Sequence, residues 1–300
     1  MSTRIISRRE SAYRTSFPIE ELEVEISGQG RAEIVCKRLD REGLDAMARL
    51  AKPLFLHAAE REIEVYEQLL PDGPAGPPHF LGAELDAGRT LLFIERIDGR
   101  PLVEVGDRGL WEEAAGWLGR FHAAFAGLAG GPPSGPPLIE HDADFHRFWL
   151  VRARSFAASG PGPGPALAWL DARHEQVVEA LSRMDRTLLH GEFYASNVLV
   201  AEGDGSTRVA PVDWELAGPG PGALDLAALV CGWPYADREA MRRAYGTGRG
   251  RELPARELDL ARLQVAIQWL GWAPPEWKPP ADRQRDWAAE AVEIAEELEL

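Results

Sequence analysis

The chain has 300 residues, with Lys+Arg 33 against Asp+Glu 48 and a formal net charge of −15 at pH 7. A hydrophobic share of 45% and a charged share of 27% are those of an ordinary folded protein, long enough for one large domain or two modest ones. The acidic balance speaks against nucleic acid or an anionic membrane surface as a partner, since both select a basic face. Two cysteines, Cys36 and Cys231, cannot build a disulfide framework or a multi-cysteine zinc site.

The arginines of residues 1–11 are not followed by the apolar run of a secretory signal, and no stretch approaches the roughly 20 apolar residues of a membrane span. The expectation is a cytoplasmic protein. Leu22-Glu23-Val24-Glu25-Ile26 alternates with period two, turns at Ser27-Gly28-Gln29-Gly30 and resumes at Ile34-Val35-Cys36-Lys37, which predicts a β-hairpin. A helical stretch ending in residues 58–70 is stopped by Pro71-Asp72-Gly73-Pro74. Residues 80–84 and 90–94 predict a second hairpin around Asp86-Ala87-Gly88.

After Gly99-Arg100-Pro101 the pattern turns mainly helical, over residues 110–128, 145–156, 167–183, 223–230, 256–269 and 286–298. Short strands are expected at 187–189, 198–200 and 209–212, and the Gly/Pro clusters 130–137 and 159–165 read as surface loops. A sheet lobe followed by a helical lobe is an α+β arrangement.

The densest chemical signal is His190-Gly191-Glu192-Phe193-Tyr194-Ala195-Ser196-Asn197, followed sixteen residues beyond Asn197 by Asp213-Trp214-Glu215. A carboxylate, an amide and a second carboxylate, each bracketed by short β-runs, have the layout of a kinase site. There the first carboxylate orients the attacking hydroxyl, while the amide and the second carboxylate hold Mg²⁺ through hard oxygen ligands.

On these residues the chain resembles the aminoglycoside phosphotransferase and choline-kinase-like family, whose motifs read His-Gly-Asp-x-x-x-x-Asn and Asp-Trp/Phe-Glu. The stretch from Gly218-Pro219 to Asp225-Leu226-Ala227 is similar to that family's Gly-Pro…Asp-Leu-Ala segment.

The resemblance implies a bilobal protein-kinase-like fold. Its small antiparallel-sheet, nucleotide-binding lobe would span residues 1–98, and its larger helical catalytic and substrate lobe residues 99–300. It implies ATP or GTP as co-substrate, Mg²⁺ at Asn197 and Asp213, and a small-molecule hydroxyl as acceptor, an aminoglycoside or other cationic natural product being one option. Lys37, closing the third strand, is the expected phosphate-positioning lysine, partnered by Glu62, with Glu60 and Glu64 as competitors. Lys52 is expected to carry no such role.

Gly28 to Gly30 lies too close to Lys37 to be the phosphate loop. The phosphate-covering turn therefore falls at residues 9–16, with Ser11, Tyr13, Thr15 and Ser16 supplying hydroxyls, or else is a polar hairpin without ligand contact. The hinge is expected around Glu95 to Ile97, and Phe93 or Ile94 against the adenine. His190 is expected to brace the catalytic loop by hydrogen bonds.

One departure stands out: Glu192 replaces the family's catalytic Asp. Two other readings stay open, a Ser/Thr kinase acting on a peptide in natural-product maturation and a nucleotide-binding pseudokinase. A eukaryotic-type protein kinase is disfavoured, because only twelve residues separate Asp213 from Asp225 and no Ala-Pro-Glu follows. Asp142, Asp144, Asp171, Glu175, Asp237 and Glu239 could form a cation-binding face or an ordinary solvated surface. Trp269, Trp272 and Trp277 could stack on a ring or pack in the core.

Overall fold

The computed structural model describes residues 3–13, 16–28, 30–86, 88–127, 138–158, 164–203, 206–272, 274 and 285–300. The N-terminal part is a five-stranded antiparallel sheet in the order β1-β2-β3-β5-β4. Its strands are β1 (Thr3–Glu10), β2 (Ile19–Ile26), β3 (Gly30–Arg38), β4 (Phe80–Asp86) and β5 (Arg89–Glu95). Ile26 pairs with Gly30, so β2 and β3 form the expected hairpin, and just past β1 the Ser11 N–H donates to the Ile19 carbonyl at 2.8 Å.

The period-two pattern sorts this sheet into two faces. Leu22, Val24 and Cys36 form a small cluster on the outer face, packed by Ile34, Leu91 and Phe93. Ile19, Glu21, Val35, Lys37 and Ile94 face the cleft between the lobes.

Between β3 and β4 lie α1 (Ala46–Ala51) and α2 (Ala59–Glu64), and α2 continues as a π-helical turn over Val65–Leu69. Past the hinge, β6 (Arg100–Pro101) pairs with β8 (Val198–Gly203), which pairs with β9 (Ser206–Pro211). A separate two-stranded sheet joins β7 (Arg186–Leu189) to β10 (Gly218–Pro221). These two ribbons present the loops at 190–197 and 212–217 to the cleft.

Helices α3 (Arg108–Ala124), α4 (Ala143–Ala158), α5 (Gly164–Ser182), α6 (Ala223–Leu229), α7 (Tyr235–Arg249), α8 (Ala255–Trp272) and α9 (Trp287–Glu297) build the rest. The C-terminal part is thus mainly helical, as the sequence pattern predicts. Helix α7 was not anticipated. Its glycines serve packing against α3: a Cβ on Gly248 would stand 2.1 Å from the Gly116 carbonyl, and one on Gly119 of α3 2.1 Å from the Tyr245 carbonyl. Among the described residues no helix is long and apolar enough to cross a membrane.

Candidate active site

A cleft of about 290 Å³ opens between the sheet and the C-terminal loops. At its inner end Lys37, only 5% exposed, donates to Glu62 Oε2 at 2.7 Å and to Asp213 Oδ1 at 2.5 Å. Of the three candidate glutamates, Glu62 is the one that meets the lysine. Burial pulls the Lys37 ammonium toward deprotonation, but the carboxylates of Asp213, Glu62 and Glu215 reverse this and raise its pKa. The lysine is a fixed cation.

The catalytic-loop segment is tied down from below. His190 is fully buried; its Nε2–H donates to the Val212 carbonyl at 2.9 Å, and Nδ1 accepts from the Glu192 N–H at 3.3 Å. The ring is neutral, its pKa lowered by burial. Asp225, at the start of α6, accepts from the backbone N–H groups of His190 (2.7 Å) and Gly191 (3.0 Å). His122 Nε2 lies 3.2 Å from the same carboxylate, and His122 Nδ1 lies 2.8 Å from the Tyr245 hydroxyl.

Burial raises the Asp225 carboxyl, but the hydrogen bonds from His122 and from the His190 backbone, with the two rings close by, outweigh it and lower its pKa. Gly191 has φ +85°, and a Cβ there would meet the Leu216 carbonyl at 2.4 Å, so only glycine fits. Asp225 was legible in the sequence as part of a motif, but not as the anchor of this loop.

Asn197 commits its amide nitrogen to the Glu192 carbonyl at 3.0 Å, which leaves Oδ1 as a free acceptor. Asp213 has φ +71°, a strained conformation for a non-glycine residue that turns its carboxylate toward Lys37. One oxygen each of Glu192, Asp213 and Glu215 lies within 4.8 Å of the others. Burial first, then the nearby Glu215 and Asp213, push the Glu192 carboxyl well above the usual carboxylate range, against the pull of Lys52 and Lys37. Asn197 and Asp213 both line the cleft and offer only oxygen, which suits Mg²⁺.

Other expected residues divide. Ser11, Tyr13, Glu95 and Ile97 line the cleft. Glu95 is also held by Arg208 at 2.7 and 2.8 Å. Phe93 does not reach the cleft: it pairs across from Cys36 and points to the outer face, so Ile94 is the apolar wall there. Ser16 does not line the cleft; its carbonyl accepts from the Asp45 N–H at 3.2 Å. Thr15 and Trp277 lie outside the described residues.

Of the two readings of the acidic face, the ordinary solvated surface has the support of its ion pairs. Asp144 and Glu175 pair with Arg147, Asp171 with Arg154, Asp237 with Arg108 and Glu239 with Arg242, while Asp142 accepts from the Phe145 N–H. Trp269 stacks on Trp287 with ring centroids 5.5 Å apart and also meets Tyr194, while Trp272 packs on Trp149. Lys52, expected to be inert, is buried and bonded to Glu215.

A sheet lobe that contributes a buried lysine–glutamate pair faces, across one cleft, a helical lobe that contributes an amide and a carboxylate with a second carboxylate beside it; together they define a phosphotransferase of the protein-kinase-like class. The chain belongs to the Phosphotransferase enzyme family, which it matches over residues 28–260.

Solved structures of similar fold include a microcompartment-associated aminopropanol kinase (16% identity, 97% of this chain and 90% of that one, TM-score 0.63). The GDP complex of aminoglycoside 2′-phosphotransferase-IIIa is also similar (14%, 98% and 93%, 0.60), as is macrolide 2′-phosphotransferase from Brachybacterium faecium (20%, 96% and 92%, 0.58). No curated protein sequence matches the chain.

Proposed function

We propose that this protein transfers the γ-phosphoryl group of ATP or GTP to a hydroxyl of a small molecule. The observation that carries this reading is the convergence of Lys37–Glu62, Asn197 and Asp213 on one interlobe cleft, with the Glu192 carboxylate beside that of Asp213. In this reading residues 1–98 form the nucleotide lobe and residues 99–300 the catalytic and acceptor lobe.

Lys37, oriented by Glu62, holds the α/β-phosphates, with Ser11 and Tyr13 at the cleft wall and the Glu95–Ile97 backbone beside the base. Asn197 and Asp213 would hold Mg²⁺, which when bound neutralises phosphate charge. A cation held there would also favour the ionised form of Glu192. The Glu192 carboxylate orients the acceptor hydroxyl. As the acceptor oxygen bonds to the γ-phosphorus, the bond to the β–γ bridging oxygen breaks and Glu192 takes the hydroxyl proton late. His190 and Asp225 hold the loop that carries Glu192.

The acceptor class proposed is a small hydroxyl-bearing compound such as an amino alcohol, aminoglycoside or macrolide. In this reading a cationic acceptor is recognised by the Glu192 carboxylate and the Tyr194–Trp269 rings beside it.

The test is phosphoryl transfer from γ-labelled ATP and GTP to a panel of these acceptors, run beside Asp213→Asn and Lys37→Ala. Mg²⁺-dependent transfer that disappears in Asp213→Asn, with the fold retained, supports the reading. Full activity in that variant removes it, and nucleotide binding without turnover by the wild type moves the pseudokinase reading ahead.

A further inference from the structure

Three of the 33 basic residues are lysines, and two of the three, Lys37 and Lys52, are buried together at this site. A chain that otherwise relies on arginine has placed compact ammonium groups where a planar guanidinium would need more room and more partners. Lys37 and Lys52 stand over the same Phe17 ring, with Nζ 5.5 and 5.3 Å from its centroid. They divide the carboxylates between them. Lys37 takes Glu62 and Asp213, and Lys52, which follows α1, takes Glu215.

Glu215 is also anchored through its carbonyl, which accepts from Arg61 at 2.7 Å, and its carboxylate stands beside those of Glu192 and Asp213. Lys52 does not line the nucleotide cleft. The segment that carries it is fastened to the helical lobe, where Arg152 of α4 donates to the Ala51 carbonyl at 2.8 Å.

We propose that Lys52 is a positioning residue for phosphoryl transfer that acts through Glu215. It fixes that carboxylate so that the longer Glu192 side chain keeps its place beside Asp213, and it does not contribute to holding the nucleotide. This rests on the phosphotransferase reading above. Glu192 brings one more methylene than the family's Asp into a space already occupied by two carboxylates. Without a fixed partner for Glu215 the three would separate, and displacements of about 1 Å cost about 100-fold in rate.

The experiment uses the full-length protein with Mg·ATP and Mg·GTP as donors and water, aminopropanol or kanamycin as acceptors. The expected result for Lys52→Met is nucleotide binding within threefold of wild type and kcat about 100-fold lower, with part of the loss recovered in Lys52→Arg. Lys37→Ala, by contrast, should raise the nucleotide KM.

Since an unpaired buried carboxylate can unfold a protein, Lys52→Met/Glu215→Gln is the companion variant, and it removes both members of the pair. If Lys52 acts through Glu215, the double variant is no slower than the slower single one.

A kcat for Lys52→Met within threefold of wild type overturns the proposal. So do multiplied losses in the double variant, or parallel loss of nucleotide binding in a folded Lys52→Met protein. If the wild type turns over no nucleotide with any acceptor, the phosphotransferase reading itself falls and takes this inference with it.

Discussion

At the scale of the residue, the departure that matters most is Glu192. General-base help from a positioned carboxylate is worth about 100- to 10,000-fold in rate, whereas an off-rotamer side chain costs roughly 0.5–1.5 kcal/mol. Charge therefore outweighs length. Glu192→Asp should keep far more activity than Glu192→Gln, and kcat for the two variants on an identified acceptor checks this; a glutamine variant as fast as wild type would exclude Glu192 as the base.

Single residues also show where the sequence was readable. His190, Asn197 and Asp213 stand in compact motifs whose spacing carries the chemistry. Phe93 was ambiguous because both neighbours in an apolar strand look equally fit for a cleft, and only the pairing of Cys36 with Phe93 decides which face each takes. The contacts of Lys52 and Asp225 were opaque for another reason: their partners Glu215 and His190 lie 163 and 35 residues away. No local pattern encodes such contacts.

At the scale of the element, helix packing explains the one long helix that the pattern missed. Gly116 and Gly119 of α3 face Gly248 and Tyr245 of α7 at backbone distance, so these helices approach through glycines rather than through apolar knobs. Helix α7 buries Met241 and Tyr245 as its large apolar side chains while the rest of it is mainly charge and glycine, so a reading by apolar content passes over it.

The same closeness makes the interface intolerant of added volume. Gly119→Ala would place a methyl group 2.1 Å from the Tyr245 carbonyl, and overpacking of this kind typically costs 1–3 kcal/mol. Urea unfolding should show a midpoint loss of that size with little change in slope. Gly164→Ala, where a Cβ meets nothing within 4 Å, should be close to neutral.

At the scale of the whole molecule, the helical lobe encloses histidines that have no role in the chemistry. Burial, with repulsion from nearby His141 and His174, lowers the His146 pKa to about 3, and burial lowers that of His141 to about 4. Below the ordinary histidine range of about 6.5 the unfolded chain binds protons that the folded chain refuses, so stability falls as pH falls. For His146 this loss runs from about pH 6.5 to about pH 3 and amounts to roughly 3 kcal/mol by pH 4. His146→Leu should therefore flatten the decline of unfolding free energy between pH 6.5 and 4, measured by urea titration at several pH values. An unchanged slope would mean that the ring is accessible to protons.

The core described above runs without interruption from Phe17, Leu39 and Leu44 beside the sheet to Trp214, Tyr245 and Leu298 in the helical part. Two lobes that share one apolar interior cannot melt separately, because losing either exposes the buried surface of the other. Calorimetry should accordingly record a single cooperative endotherm with equal van't Hoff and calorimetric enthalpies. A fragment cut at the hinge should stay unfolded rather than survive as a free nucleotide-binding unit.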